Sequence, residues 1–380
     1  MSDPSALRIV IAPDSFKESV TAPEAAAAMA RGVRAVVPDA DCVLLPMSDG
    51  GEGFTDALAS ALDARRLSVT TEDALGRPVE AVIARDGDRA ILEVASAVGL
   101  DQIARDDRDP MRATSLGVGR MIRAALDDGA RHLVIGLGGS VTTDGGAGML
   151  HALGARFRDA DGETLDPVPR HLGAVTQIDL EGLDPRLREV TVDVASDVTN
   201  PLTGPDGAAA VFGPQKGAGP GQVEELDAAL ARIAAVAGYT ETIAQQPGAG
   251  AAGGLGYALL GFLGASLRPG VDLVADTVGL HAAVAGADLV LTGEGAVDAQ
   301  TLAGKTPAGV AAIAREAGAP CVVIAGRISR DAEVLLSHGV DALVPMVHEA
   351  GDLDALLAAG AENLERTAAT VMRLRGLGAR

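Results

Sequence analysis

Large aromatic residues are nearly missing from this chain of 380: five Phe, two Tyr and no Trp, 2% of the total. A core without big rings must be filled by Ala, Val, Leu and Ile at close packing, and a surface without them offers few platforms on which bases stack. Cations are short as well, since 31 Lys and Arg against 52 Asp and Glu leave a net charge of −21. Nucleic acid is therefore not an expected partner, because its sequence-independent binding rests on clustered cations. An anionic small substrate stays open, because charge is screened beyond roughly 8 Å at physiological salt and local lysines and backbone amides decide what a pocket accepts.

Cysteine occurs twice, and Cys42 and Cys321 each open an apolar run, CVLLP and CVVIAG, where a small thiol packs well. Both read as reduced core residues. The six histidines are scattered, with no H-x-x-x-H and no cysteine pair, which argues against zinc. No G-x-S-x-G elbow points to a serine hydrolase. No apolar run reaches membrane-spanning length, and MSDPSALRIVIA shows no charged-then-apolar leader with a cleavage site. The expectation is a cytoplasmic protein that engages no membrane.

What is present is a hydrophobic content of 48% with 22% charge, the balance of a compact protein, over a length that favours two cores. LRIVIAP (7–13) reads as a buried strand, and Thr21-Ala-Pro-Glu24 is a capping box opening an Ala-rich helix to about Val36. CVLLP (42–46), the loop MSDGGEG (47–53) and a helix from Phe54 repeat the unit. From about residue 65 the runs at 65–71, 78–84 and 89–95 alternate instead, as half-exposed antiparallel strands do. A helix at 115–127, a strand at 131–137, a hairpin around Asp161-Gly162, a strand at 190–195 and helices at 222–237 and 255–264 follow. After Ala287 the opening pattern returns with strands 288–292, 321–325 and 341–345 between helices at 307–317, 331–337 and 353–374. The fold class is thus α/β. A doubly wound parallel-sheet domain, 1–65 plus 286–380, is interrupted by an inserted mixed α/β domain, 66–285, with a cleft expected between them.

Ligands of open parallel sheets bind beyond the carboxyl ends of the strands. That rule nominates Asp14-Ser15-Phe16-Lys17 after the first strand, Ser48-Asp49-Gly50-Gly51-Glu52-Gly53 after the second, and Gly293-Glu294-Gly295-Ala296-Val297-Asp298 read as a loop after the third. Any one of these acids is as readily a turn or helix-start residue; three such loops in succession favour function. Lys17 is the lone cation of the first two loops and suits a phosphate or carboxylate. Gly304-Lys305-Thr306 resembles the end of a P-loop, but Ala299 stands where its first glycine belongs; Lys305 remains a candidate for the cleft.

GLGGSVTTDGGAG (136–148) follows the apolar run Leu133-Val134-Ile135 and precedes a helix near 146–153, so its amides and the helix start are placed to hold a phosphate. Gly138, Gly139, Ser140, Gly145 and Gly146 permit close approach, and Asp144 is read as a metal ligand or as the cap of the next helix. Val141 occupies the third glycine position of the dinucleotide fingerprint, and Gly248-Ala-Gly250-Ala-Ala-Gly253 matches that fingerprint without a preceding strand. Asp197, beyond the strand TVDVA, suits a general base or a Mg²⁺ ligand, with an Asx turn as the bland alternative; Gln215-Lys216 adds a polar pair to the same domain.

Read in order, APDSFKESVTA, PMSDGGEGF, GLGGSVTTDGGAGML, ASDVTNPLTGPDGAAAVFGPQKGA, PGAGAAGGLGYAL and DLVLTGEGAVDAQTLAGKTP resemble the type I glycerate kinase family from about residue 8 to 375. The resemblance implies ATP-dependent, Mg²⁺-assisted phosphorylation of D-glycerate by a Rossmann-like domain carrying an insertion. It favours 2-phosphoglycerate over 3-phosphoglycerate. On that basis glycerate is expected among Asp14, Ser15, Lys17, Asp49, Gly50, Gly51, Glu52, Asp298 and Lys305. The ATP phosphates are expected on Gly138 to Gly146, with Lys17 and Asp197 catalytic and Asp197 or Asp144 on the metal. A nicotinamide-dependent oxidoreductase would need a glycine fingerprint after the first strand, where APDSFK stands instead, and a non-catalytic sensor would not need every polar loop. A homo-oligomer is compatible with the sequence, which does not specify one.

Overall fold

The computed structural model describes residues 6–239 and 242–378. The chain opens with β1 (Arg8–Ile11), a helix over Ala22–Val36 and β2 (Asp41–Leu44). It continues through β3 (Arg65–Glu72), β4 (Pro78–Asp86), β5 (Arg89–Glu93), β6 (His132–Gly136), β7 (Arg156–Arg158), β8 (Thr164–Leu165), β9 (Gln177–Asp179), β10 (Thr191–Ala195) and β11 (Ser266–Arg268). It ends with β12 (Leu289–Val297), β13 (Cys321–Ile328) and β14 (Ala342–Pro345), separated and followed by helices. Two compact units result, one of Met1–Asp49, Asp56–Ala64 and Pro269–Arg380, the other of Gly50–Thr55 and Arg65–Arg268. Residues 269–285, assigned to the insertion from the sequence, fall in the first unit, and the turn Gly50–Thr55 falls in the second.

The first unit is a five-stranded sheet in the order β14-β13-β12-β1-β2, parallel throughout. Counted along the unit this is 2-1-3-4-5, the doubly wound order that reverses direction between its first and third strands, here β1 and β12. The runs are continuous and apolar because helices cover them: Ile9, Ile11, Leu289, Leu291 and Ile324 are buried with Met29, Val33 and Leu364. The helix over Ala22–Val36 starts as its capping box dictates, with the Glu24 amide donating to the Thr21 hydroxyl and the Thr21 amide to the Glu24 carboxylate. One expectation is corrected. Gly293 to Val297 is not a loop but the second half of β12, paired with Ile324 to Ile328 of β13, so glycines here lie in an extended strand. The C-terminal helix is also divided, into Leu353–Ala358 and Gly360–Gly378.

The second unit holds a six-stranded sheet, β11-β10-β6-β5-β4-β3. Its pairs are parallel from β11 to β5 and antiparallel through β4 and β3, as the alternating runs at 65–95 implied. The carboxyl ends of β5, β6, β10 and β11 therefore share one edge. A small antiparallel sheet, β8-β7-β9, contains the hairpin around Asp161-Gly162. Small and medium aliphatic side chains fill the core between sheet and helices, among them Ile91, Leu133, Ile135, Val194, Leu230 and Leu255. No helix among the described residues is long and apolar enough to cross a membrane.

Candidate active site

At the switch point of the first sheet the chain leaving β1 is held from both sides. The Asp14 amide donates to the Gly293 carbonyl at 2.8 Å, the Thr292 hydroxyl to the Ala12 carbonyl at 2.7 Å, and the Met47 amide to the Pro13 carbonyl at 2.8 Å. This fixes Asp14 at the carboxyl edge between β1 and β12, where a doubly wound sheet places its ligand. Its carboxylate accepts the hydroxyl of Thr306, the first residue of the helix Thr306–Glu316, and the amide of Ser15. Burial, with the Asp49 carboxylate as a second cause, pushes Asp14 up from 3.8 to about 6.

Glu294 joins the same cluster from β12. It accepts the Thr301 hydroxyl at 3.3 Å and faces the Lys305 ammonium at 3.7 Å, with 14% of its side chain exposed. Burial raises it to about 7, Lys305 opposing and the Asp14 and Asp49 carboxylates adding to the rise. Three carboxylates, two threonine hydroxyls and a lysine thus converge within one unit. Lys17 stands exposed on the tight turn that the Phe16 and Val20 backbones close by exchanging hydrogen bonds. The Asp298 carboxylate accepts the Gln300 amide at 2.9 Å and so caps the short turn Ala299–Leu302. That is the ordinary task of an aspartate after a strand.

The second unit builds a different surface at the carboxyl edge of β5, β6 and β10. The Gly138 amide donates to the Gly50 carbonyl at 2.9 Å, and a β-carbon on Gly138 would lie 2.5 Å from the Gly51 α-carbon. Only glycine allows these two turns to touch backbone to backbone. Glu93, at the end of β5, accepts the Thr55 amide at 2.8 Å and the Gly53 amide at 3.3 Å, tying the 50–55 turn to the same edge. Glu52 is exposed on that turn, and Asp197 is exposed beyond β10. Asp144 serves its own turn, the capping role that the sequence offered beside metal binding. Fully buried, it accepts the amides of Ser115, Gly146 and Gly148 and the Ser115 hydroxyl. Burial is the larger effect on its ionisation and raises it against those hydrogen bonds.

The helix behind the glycine turn spans only Ala147–Ala152, so an anion at this turn would meet backbone amides rather than the end of a long helix dipole. The wall behind it is the Gly248–Gly254 segment, whose repeated glycines matched a fingerprint by accident. The Gly145 amide donates to the Gly253 carbonyl at 3.0 Å, and Ala252, Gly253 and Gly254 are left-handed in succession at φ 50°, 67° and 92°. A non-glycine residue held in that region is strained, and such strain persists where surrounding structure enforces it. The Thr142 and Thr143 hydroxyls are buried here with no hydrogen-bond partner, and the fully buried Lys216 reaches the turn from below. Glu93 was not singled out from the sequence, and nothing local distinguishes it. Glu294 stood within a supposed loop, Thr306 in the P-loop-like run and Lys216 in a polar pair, none of them with a role of its own. Among the described residues no group of three His, Cys, Asp or Glu is disposed to hold a metal.

Residues 9–376 match the glycerate kinase family. The chain is 47% identical to the glycerate kinase of Bacillus subtilis (strain 168), over 95% of this chain and 96% of that protein. It is 41% identical to the glycerate 2-kinase of Escherichia coli (strain K12), over 98% and 99%. A crystal structure from Salmonella typhimurium LT2, of a protein provisionally named glycerate kinase 2, superposes with a TM-score of 0.89 at 46% identity, covering 99% of this chain and 100% of that one. Fold, ordered motifs and kinship over nearly the whole length agree: the chain belongs to the glycerate kinase family and is an enzyme.

Proposed function

We propose that the enzyme transfers the γ-phosphoryl group of ATP to a hydroxyl of D-glycerate, giving 2-phosphoglycerate rather than 3-phosphoglycerate. The observation that carries the substrate side is the cluster of Asp14, Asp49 and Glu294 with Lys305 and Thr306 at the switch point. Carboxylates alone would repel an organic acid. A small molecule with one anionic end and hydroxyls at the other suits them: its carboxylate meets Lys17 or Lys305, and its hydroxyls donate to Asp14 and Asp49. Ser15 of the turn after β1 joins the set, and the family resemblance adds Gly50, Gly51 and Glu52 of the turn after β2.

Phosphoryl transfer asks the protein for alignment, charge neutralisation and a place for the hydroxyl proton. Asp14 takes that proton: raised to about 6, it is ionised at neutral pH yet basic enough to hold it as the oxygen gives up its bond to hydrogen. Lys305 opposes the burial that raises Glu294 and orients it beside Asp14. The nucleotide phosphates fall to the glycine turn at the Gly139 and Ser140 amides, whose shape the Gly138, Gly145 and Gly146 amides set through their own bonds to Gly50, Gly253 and Asp144, with Lys17 neutralising the group in transit.

Mg²⁺ fits this chain as a passenger of the triphosphate, since such an ion needs only one or two protein carboxylates in addition to phosphate oxygens. Asp197, exposed beyond β10, meets that need and the enclosed Asp144 does not. Bound there, the ion would offset phosphate charge. A location in the cytoplasm, where ATP is plentiful, agrees with this chemistry.

Incubation with ATP and D-glycerate, followed by ³¹P and ¹³C NMR of the product, tests the reading. ADP with phosphate on C2 is expected; phosphate on C3 alone overturns the regiochemistry, and no ADP above the glycerate-free rate overturns the kinase. The pH profile is a second expected result. With Asp14 at about 6 and Glu294 at about 7, both working as anions, kcat/KM for glycerate should fall about tenfold per pH unit between about 7 and 6 and about a hundredfold per unit below 6. A flat profile from pH 7 to pH 5 is incompatible with either group in this role.

A further inference from the structure

Lys216 is the one side chain of its kind that the reaction above does not use, and its setting is unusual. It ends a short turn, Pro214–Lys216, and is 2% exposed, although a lysine is almost never enclosed without a reason. Its ammonium donates to the Thr142 carbonyl at 2.7 Å and to the Ser140 hydroxyl at 3.3 Å, 74 and 76 residues back along the chain. Both acceptors belong to the glycine turn, and the charged group facing the ammonium is Asp144, itself bound to the amides of Gly146 and Gly148.

The Gly145 to Gly148 end of the turn is held by Asp144 and the Gly253 carbonyl, whereas the Thr142-Thr143 stretch has fewer ties. Its glycines resist bending little, the neighbouring Thr142 and Thr143 hydroxyls bond to nothing, and the wall at Gly253 touches it through backbone alone. A fixed, enclosed cation tied to two points of the turn removes that freedom, which is what a preorganised anion surface requires.

We infer that Lys216 is the positioning residue of the glycine turn, fixing the Ser140 to Gly146 backbone from beneath in the shape that receives the nucleotide phosphates. This rests on the reading of that turn as the nucleotide site. Lys216 touches no substrate; it acts through the peptide it holds. Burial lowers its ionisation to about 7, Asp144 opposing, so part of its charge is lost just above neutrality.

The test compares wild type with Lys216→Met and Lys216→Gln in steady-state kinetics and in calorimetric titration with MgATP. KM for ATP is expected to rise about tenfold or more, as for a misplacement of about 1 Å, while KM for glycerate stays within about twofold. A general loss of folding would instead lower kcat and leave both KM values in place; that result, or an unchanged KM for ATP, overturns the inference. Should neither variant fold, wild type decides: MgATP affinity should weaken several-fold between pH 7 and pH 9 as the ammonium empties, and a constant affinity overturns it. Gly138→Ala separates the two readings. If it leaves KM for ATP unchanged, the turn is not the nucleotide site; if it raises KM for ATP and the Lys216 variants do not, only the role of Lys216 fails.

Discussion

Asp14→Asn is expected to lower kcat about a thousandfold, within the range that a general base supplies, and at the same time to make the protein more stable at neutral pH. The two effects share one cause. In the folded enzyme Asp14 ionises at about 6 instead of 3.8, because burial and Asp49 disfavour its charge. The folded state therefore binds its proton more tightly than the unfolded chain does. Stability is highest where both states are protonated and declines as pH rises from 3.8 through about 6. At pH 7 the ionised carboxylate costs at most about 3 kcal/mol, since each pKa unit is about 1.4 kcal/mol. Asparagine keeps an acceptor for the Ser15 amide and carries no charge, so part of that cost is recovered and the melting temperature should rise by about 2–6 °C. At pH 4 the gain should largely disappear. An Asp14→Asn protein that is inactive but less stable at pH 7 would show a structural carboxylate rather than a strained functional one.

Gly253→Ala is the second change with a large expected effect, and it acts on the other surface. Gly253 has a φ of 67°, and a β-carbon there would lie 1.9 Å from the Thr142 carbonyl oxygen and 2.7 Å from the Thr143 α-carbon. Neither neighbour is the end of a flexible side chain, so one of the two segments must move. The left-handed backbone costs about 1–2 kcal/mol and overpacking a further 1–3 kcal/mol, about 2–5 kcal/mol together. Because the displaced peptide is the one Lys216 holds, KM for ATP should rise about a hundredfold while KM for glycerate changes little. Thermal denaturation and two-substrate kinetics check both parts; an alanine variant with wild-type KM for ATP would detach the Gly248–Gly254 wall from nucleotide binding.

Much of this was legible in the sequence where chemistry is local. Continuous apolar runs at 7–13, 42–46, 288–292, 321–325 and 341–345 can be buried only by helices on both faces, and they became the five parallel strands. The Thr21 to Glu24 spacing located a helix start to the residue. The turns after β1 and β2 were recognisable because Asp, Ser and Gly have no reason to follow a core strand in such density. What escaped was set by tertiary position. Glu294 was lost in a presumed loop because Gly293 and Gly295 depress strand propensity, yet β13 pairs with them regardless. Lys216 reads as half of a polar pair with Gln215 until Ser140 and Thr142, distant in sequence, close over it. Asp144 reads as a metal ligand or a helix cap, and composition does not reveal that three amides will bond to it.

The pairing of β1 with β12 also sets a timetable for synthesis. Ile9 and Ile11 must wait for Leu289 and Leu291, which a ribosome delivers roughly 14 to 56 s later at about 5–20 residues per second. During that interval Arg65–Arg268 is completed and free to collapse, while β1, paired with β2 on one side, remains without a neighbour on the other. Newborn chains of this enzyme are thus most vulnerable to sticking together early, and a chaperone that grips the first fifty residues would protect them for as long as the last third is still being made.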